Sequence, residues 1–288
     1  MKEKPGNYQI VDLPAARRDT PNFIDIIWWR HWIYGLLEVD VTVPRKLIKE
    51  YEAWLEEELS FTGYLAYCLA RAVDEDKLVH AYLKGRKQLV VFEDVDVLLM
   101  IERQIGETRA PMGHVIRAAD RRSYMEINRE IRAVQNRPVP SRKGVPPLMH
   151  RLMLLPWPLS RLFISLIRLY MRHDPASMAT KGGTVGITAV GMFGEHSGWG
   201  VAPNGHTLDL VVGSITRKPA IVEDRIEPRE ILNLTVVFDH DVVDGAPAAR
   251  FVERLVDLIE SGYGLAEEQL KFVVDPELVA ARRPSGMA

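Results

Sequence analysis

One cysteine, Cys68, stands alone in a chain of 288 residues, so no disulfide can form within it. A reducing compartment, the cytoplasm, is the expected setting. No run of about 18 apolar residues exists to span a bilayer. The opening Met1-Lys2-Glu3-Lys4-Pro5-Gly6 lacks the apolar core of a secretion signal. Neither sign of charge is in excess: 37 basic residues against 39 acidic ones leave −2, which offers nucleic acid no global field. No unit repeats along the chain. Also missing are a Gly-x-Ser-x-Gly nucleophile elbow, a cysteine near a histidine in sequence, and paired His/Cys spacings. Hydrolase-type nucleophiles and zinc therefore have no motif here, and no metal is expected.

What is present reads as one α/β domain with a mixed sheet. Residues 1–22 are polar, carry three prolines and read as an irregular arm. Residues 23–34 are dense in aromatics, with Trp28, Trp29, Trp32 and Tyr34, for packing in a core or a subunit contact before a ligand platform. Alternation predicts strands over 36–43, 89–92, 95–101 and 111–116. Helical periodicity predicts helices over 45–58, 61–74 (Ser60 as N-cap) and 120–135. Strands follow at 184–188, 208–215 and 231–238, then a helix over 246–261 closed by Gly262. His206 reads as part of a Pro-Asn-Gly turn.

Residues 136–173 differ in character. They hold seven Lys or Arg (Arg137, Arg142, Lys143, Arg151, Arg161, Arg168 and Arg172) and no Asp or Glu. From 159 to 173 the pattern is a basic amphipathic helix. Arg161, Ser165, Arg168 and Arg172 recur on one face, and Leu162, Phe163, Leu166, Ile167 and Tyr170 on the other. Such an apolar face needs a cover, either a partner subunit or an anionic membrane surface.

The segment from Ile231 to Ala246 runs a buried strand straight into His240, with Asp241, Asp244 and Gly245 following. A strand end beside a helix start is a rigid platform, and an imidazole there can take a proton near pH 7. By residue type and spacing alone, a histidine beside two aspartates reads first as structural.

The run Asp239-His240-Asp241-Val242-Val243-Asp244-Gly245-Ala246 resembles the Asp-His-Arg-x-x-Asp-Gly-Ala signature of the E2 catalytic domain of 2-oxo acid dehydrogenase complexes. That family shares the chloramphenicol acetyltransferase-like fold. Gly182-Gly183-Thr184-Val185-Gly186-Ile187-Thr188-Ala189-Val190-Gly191-Met192-Phe193-Gly194 is similar to its Gly-Gly-Thr-Phe-Thr-Ile-Ser-Asn-Leu-Gly-Met-Phe-Gly. The likeness is strong over 180–262 and looser over 18–135.

The resemblance implies a two-layer, trimer-forming acyltransferase domain over 23–288, with a basic helical insert at about 136–173. It implies His240 as general base toward a thiol, hydroxyl or amine acceptor, and Thr188 as donor to a tetrahedral oxyanion, with the histidine of one copy meeting the hydroxyl of its neighbour. It implies that Asp244 holds the histidine loop through a buried pair. Gly191 and Asp241 are assigned to the substrate. His196, on the glycine-rich loop just after the Thr188 motif, reads first as a surface-loop histidine and second as a residue lining the substrate channel. Four departures stand out: Thr188 for the family's Ser, Ala189 for Asn, Asp241 for Arg, and a longer insert. Asp241 is expected to set negative charge near the base.

No lipoyl or subunit-binding domain is expected ahead of this one. The first expectation is therefore a free-standing enzyme with coenzyme A or acyl-CoA as co-substrate and no covalently attached lipoate. An E2 subunit served by a lipoyl domain in trans, and a non-catalytic trimeric scaffold, are the alternatives. The partners expected are two further copies, or a multiple of three, with a small-molecule acyl donor and acceptor. Peripheral membrane contact through 159–173 is the remaining partner, and no nucleic acid is expected.

Overall fold

The computed structural model describes residues 9, 11–12, 20–28, 30–105, 108–137, 157–189, 196–203 and 205–265. Its elements in chain order are α1 (Thr20–Ile27), β1 (Trp32–Asp40), α2 (Thr42–Leu55), α3 (Phe61–Glu75), β2 (Tyr82–Lys84), β3 (Gln88–Val90), β4 (Val97–Ile105), β5 (Thr108–Ile116), α4 (Tyr124–Asn136), α5 (Trp157–His173), α6 (Pro175–Gly182), β6 (Val185–Ala189), β7 (Leu208–Val222), β8 (Arg225–Asp239) and α7 (Gly245–Glu260). Six strands form a mixed sheet in the order β1-β8-β7-β6-β4-β5, with β6 parallel to both neighbours. β2 and β3 make a separate hairpin.

β8 shows why this sheet holds. Residues 231–239 are buried without a break, so both faces of the strand are covered, as a strand rich in Leu and Val allows. On one face Leu232, Leu234, Val236 and Phe238 join Leu208, Leu210, Val212 and Ile187 in the main core with α3 and α7. α3 is buried from Gly63 to Ala70, and Ser60 caps it by accepting from the Gly63 N–H at 3.0 Å. A Cβ on Gly63 would come 2.9 Å from Ile131 Cδ1, so glycine is what lets α3 and α4 approach.

The opposite face carries the polar residues. Asn233, Thr235 and Asp239 of β8 share it with Asp209 of β7 and Thr188 of β6, all within the alternation that the strand pairing fixes.

Several boundaries differ from the periodic reading. β1 ends at Asp40, because Thr42 accepts the Glu230 N–H and donates its own backbone N–H to Asp40 Oδ1, which starts α2 two residues before Pro44. α1 begins inside the expected arm, and α6 is an added short helix. The strands at 208 and 231 extend into a long ribbon that turns at Glu223 and Asp224, both at positive φ (48° and 61°). Pro219 faces Pro228 across that ribbon. Two prolines read as loop in a sequence, yet a two-stranded ribbon has free edges that tolerate them. The two strands expected at 89–92 and 95–101 belong to different sheets.

Candidate functional site

His240 is the first residue after β8. Its backbone N–H donates to the His31 carbonyl at 2.7 Å, continuing the β1–β8 pairing by one step. Its side chain is 46% exposed, so the imidazole stands on a rigid strand end and is open to a reactant.

The loop under it is held by Asp239. The Asp239 carbonyl accepts from Val242 and Val243 N–H at 3.0 Å each, and Asp239 Oδ1 accepts from Asp241 N–H at 3.1 Å. Asp239 Oδ2 accepts from Arg30 Nη1 at 3.1 Å, with both side chains buried. Burial pushes the Asp239 carboxyl above its ordinary range, and the Arg30 guanidinium pulls it part of the way back. Arg30 also lies over the rings of Tyr82 and Trp32 at 5.5 and 5.8 Å.

This corrects one expectation. Asp244 does not anchor the loop through a buried pair. Its side chain is 86% exposed, lies 3.7 Å from His240 Nδ1, and makes no capping bond at the start of α7. A surface carboxylate on a polar helix start has water to satisfy it, and the buried Asp239–Arg30 pair does the anchoring instead. The Asp241 carboxylate, for its part, pairs with His31 Nδ1 at 2.9 Å. That exposed imidazole lies beside the His240 loop.

Thr188 lies on β6, half-buried, in register with Val211 and, one strand further, Thr235. His240 is five residues beyond Thr235 along β8. Strand geometry then separates Thr188 from His240 by roughly 17–20 Å within one protomer. The structure therefore places both residues where the fold puts them but does not bring them together in one copy. His196 is exposed on the loop after the Thr188 motif, and Gly191 lies outside the described residues.

That loop is fixed to the sheet. Trp199 Nε1 donates to the Leu37 carbonyl at 2.8 Å, Gly198 N–H donates to Ser214 Oγ at 2.9 Å, and Asn233 Nδ2 donates to Ser197 Oγ at 2.8 Å. Ser214 sits in the β7 bulge between Val212 and Ile215.

Two other histidines are structural. His206 is buried and joined to Asp209 Oδ1 through Nδ1 at 2.6 Å and to the Gly182 carbonyl through Nε2 at 2.9 Å. Burial works against its charge, but Asp209 outweighs burial and the net effect is upward. A Cβ on Gly186 would overlap this pair, which accounts for glycine there. The turn reading of His206 missed the pair, whose one sequence sign is the i, i+3 spacing to Asp209. His80 is buried with Nε2–H donating to the Phe92 carbonyl at 3.3 Å, and burial lowers its pKa to about 4, so its ring is neutral. Among the described residues no group of three or more His, Cys, Asp or Glu could hold a metal.

Residues 157–266 match the family model of the 2-oxoacid dehydrogenases acyltransferase catalytic domain. The chain is 35% identical over 85 residues to the dihydrolipoyllysine-residue acetyltransferase component of the Zymomonas mobilis pyruvate dehydrogenase complex, covering 30% of this chain and 19% of that one. It is 21% identical over 228 residues to the Arabidopsis thaliana dihydrolipoyllysine-residue succinyltransferase component of the 2-oxoglutarate dehydrogenase complex, covering 77% and 41%. The chain thus spans about a fifth of the length of the curated relatives it first matches. In fold it is similar to the Azotobacter vinelandii dihydrolipoamide acetyltransferase (TM-score 0.63, 18% identity, 88% of this chain and 92% of that one), whose serine, histidine and asparagine were investigated for their catalytic role. The fold is that of the E2 catalytic cores.

These relatives overturn the expectation of a reaction without covalently attached lipoate. Their names make dihydrolipoyl-lysine the group acted on.

Proposed function

We propose that this chain, with an E2 acyltransferase catalytic domain over residues 157–266, moves an acyl group between a dihydrolipoyl-lysine thioester and the thiol of coenzyme A, with His240 as general base. The observation that carries this reading is a spacing. In the Azotobacter enzyme the histidine follows the serine by 52 residues and precedes the asparagine by four, and Thr188, His240 and Asp244 stand at those two intervals here.

The steps follow from the side chains. The His240 imidazole removes the proton from the attacking thiol, whose sulfur adds to the thioester carbonyl. The oxyanion so formed accepts a hydrogen bond from the Thr188 hydroxyl. Collapse re-forms the carbonyl and expels the other thiolate, which takes the proton back from His240. Because roughly 17–20 Å separates Thr188 from His240 in one copy, the site is completed by Thr188 of a neighbouring copy, in a trimer or a multiple of three. Tyr34 and Leu36 on edge strand β1 are 39% and 52% exposed, and Trp28 is 63% exposed. They supply apolar surface for that assembly. His196 and Asp241 flank the two halves of the site and are assigned to the rim of the substrate path.

Acetyl transfer from acetyl-dihydrolipoamide to coenzyme A, followed by loss of one thiol and gain of the other, tests the reading. Thr188→Ala is expected to lower kcat about 10²-fold with KM little changed, since the oxyanion exists only in the transition state. Thr188→Ser, which keeps the hydroxyl, is expected to stay close to the parent. Equal losses for Ala and Ser would remove Thr188 from this role.

A further inference from the structure

Helix α5 is apolar on two sides. Its inner side, Ile164, Ile167 and Met171, packs on Ile26 and Ile27 of α1 and Met178 of α6, in a cluster separate from the main core. Its outer side shows Leu159, Leu162, Leu166, Leu169 and Tyr170, each 50 to 64% exposed. The apolar face expected to be covered thus divides in two, and only half of it is buried by the protein. At 3.6 residues per turn the five exposed residues fall in one stripe about 100° wide, and Arg161, Ser165, Arg168 and Arg172 form the band along its edge. Arg168 in that band donates to the Asp25 carbonyl of α1.

We propose that α5 binds peripherally to an anionic lipid surface, lying in the plane of the interface with its leucines in the acyl boundary and its arginine band at headgroup level. Charge complementarity selects this occupant. Helix α5 itself holds Arg161, Arg168 and Arg172 and no Asp or Glu. Another copy seated on the same face would set like charges against one another, whereas anionic headgroups neutralise them. Among the described residues no helix is long and apolar enough to cross a membrane, so contact is by lying on the surface.

Flotation of the full chain with phosphatidylcholine vesicles, with and without phosphatidylglycerol, tests this without reference to the acyl-transfer reading. The chain is expected to float with the anionic vesicles at low salt and to remain behind with phosphatidylcholine alone. Leu162→Gln/Leu166→Gln is expected to weaken binding at least about tenfold. Arg161→Gln is expected to weaken it about five-fold. Light scattering should give the parent mass for both variants. Three outcomes overturn the proposal: no flotation with anionic vesicles, equal flotation with both kinds, or a lower oligomer mass for the leucine variant. The last would assign the stripe to a contact between copies.

Discussion

His240→Ala is expected to slow acyl transfer by about 10²–10⁴-fold and to leave the melting temperature and the oligomer unchanged. Both halves of this expectation come from geometry. The imidazole is 46% exposed at the end of β8, and its nearest carboxylate, on Asp244, is 86% exposed at 3.7 Å. Removing it opens no cavity and strands no buried group, so the fold has little to lose. The rate loss arises because a thiol is mostly protonated near neutral pH and attacks a thioester slowly without a base. Steady-state rates with acetyl-dihydrolipoamide and coenzyme A, beside a thermal melt, check both halves. Parent-like turnover would exclude His240 as the base.

Arg30→Met is expected to destabilise the protein by about 3–5 kcal/mol, because it leaves the buried Asp239 carboxylate without its cation. Without Arg30, burial meets less opposition at Asp239 and raises its pKa further above the unfolded value. A carboxyl raised in this way favours folding below its unfolded pKa and loses that advantage as pH rises. The destabilisation should therefore be larger at pH 8 than at pH 5. Turnover should fall as well, since the Asp239 carboxylate that Arg30 orients accepts the Asp241 N–H, which shapes the His240 loop. Arg30→Met/Asp239→Leu should regain much of the stability, since it removes the isolated charge, but not the turnover, since the loop still lacks its side-chain acceptor. Urea melts at both pH values decide it. A variant as stable as the parent at pH 8 would mean that the loop is held by something else.

The sequence made some of this architecture plain and hid the rest for physical reasons. The largely apolar, β-branched run before His240 announced β8, and Ser60 announced α3, because both are local patterns. The ribbon beyond Ile215 was obscured by Pro219 and Pro228, which mark a loop in most contexts and sit on a free-edged ribbon here. Thr188 and His240 were legible as motif residues, and the resemblance implied a site shared between copies. The distance between them in one copy rests on which strands are neighbours, which no local pattern shows. Arg30–Asp239 and His206–Asp209 also escaped. Arg30 and Asp239 are 209 positions apart, beyond the reach of any local pattern. His206 lies among turn-forming residues, and only the folded sheet buries it against Asp209. The sequence placed the anchoring role on Asp244, which resemblance favoured, and the structure moves it to Asp239.

The most direct test of a site shared between copies is complementation. Chains carrying His240→Ala and chains carrying Thr188→Ala, co-expressed with different tags and purified through both, form mixed oligomers. In a cyclic trimer, each mixed assembly has one interface where an intact His240 meets an intact Thr188, so about a third of the parent's activity should return. Activity no higher than that of the separate variants would contradict a site completed by the neighbouring copy.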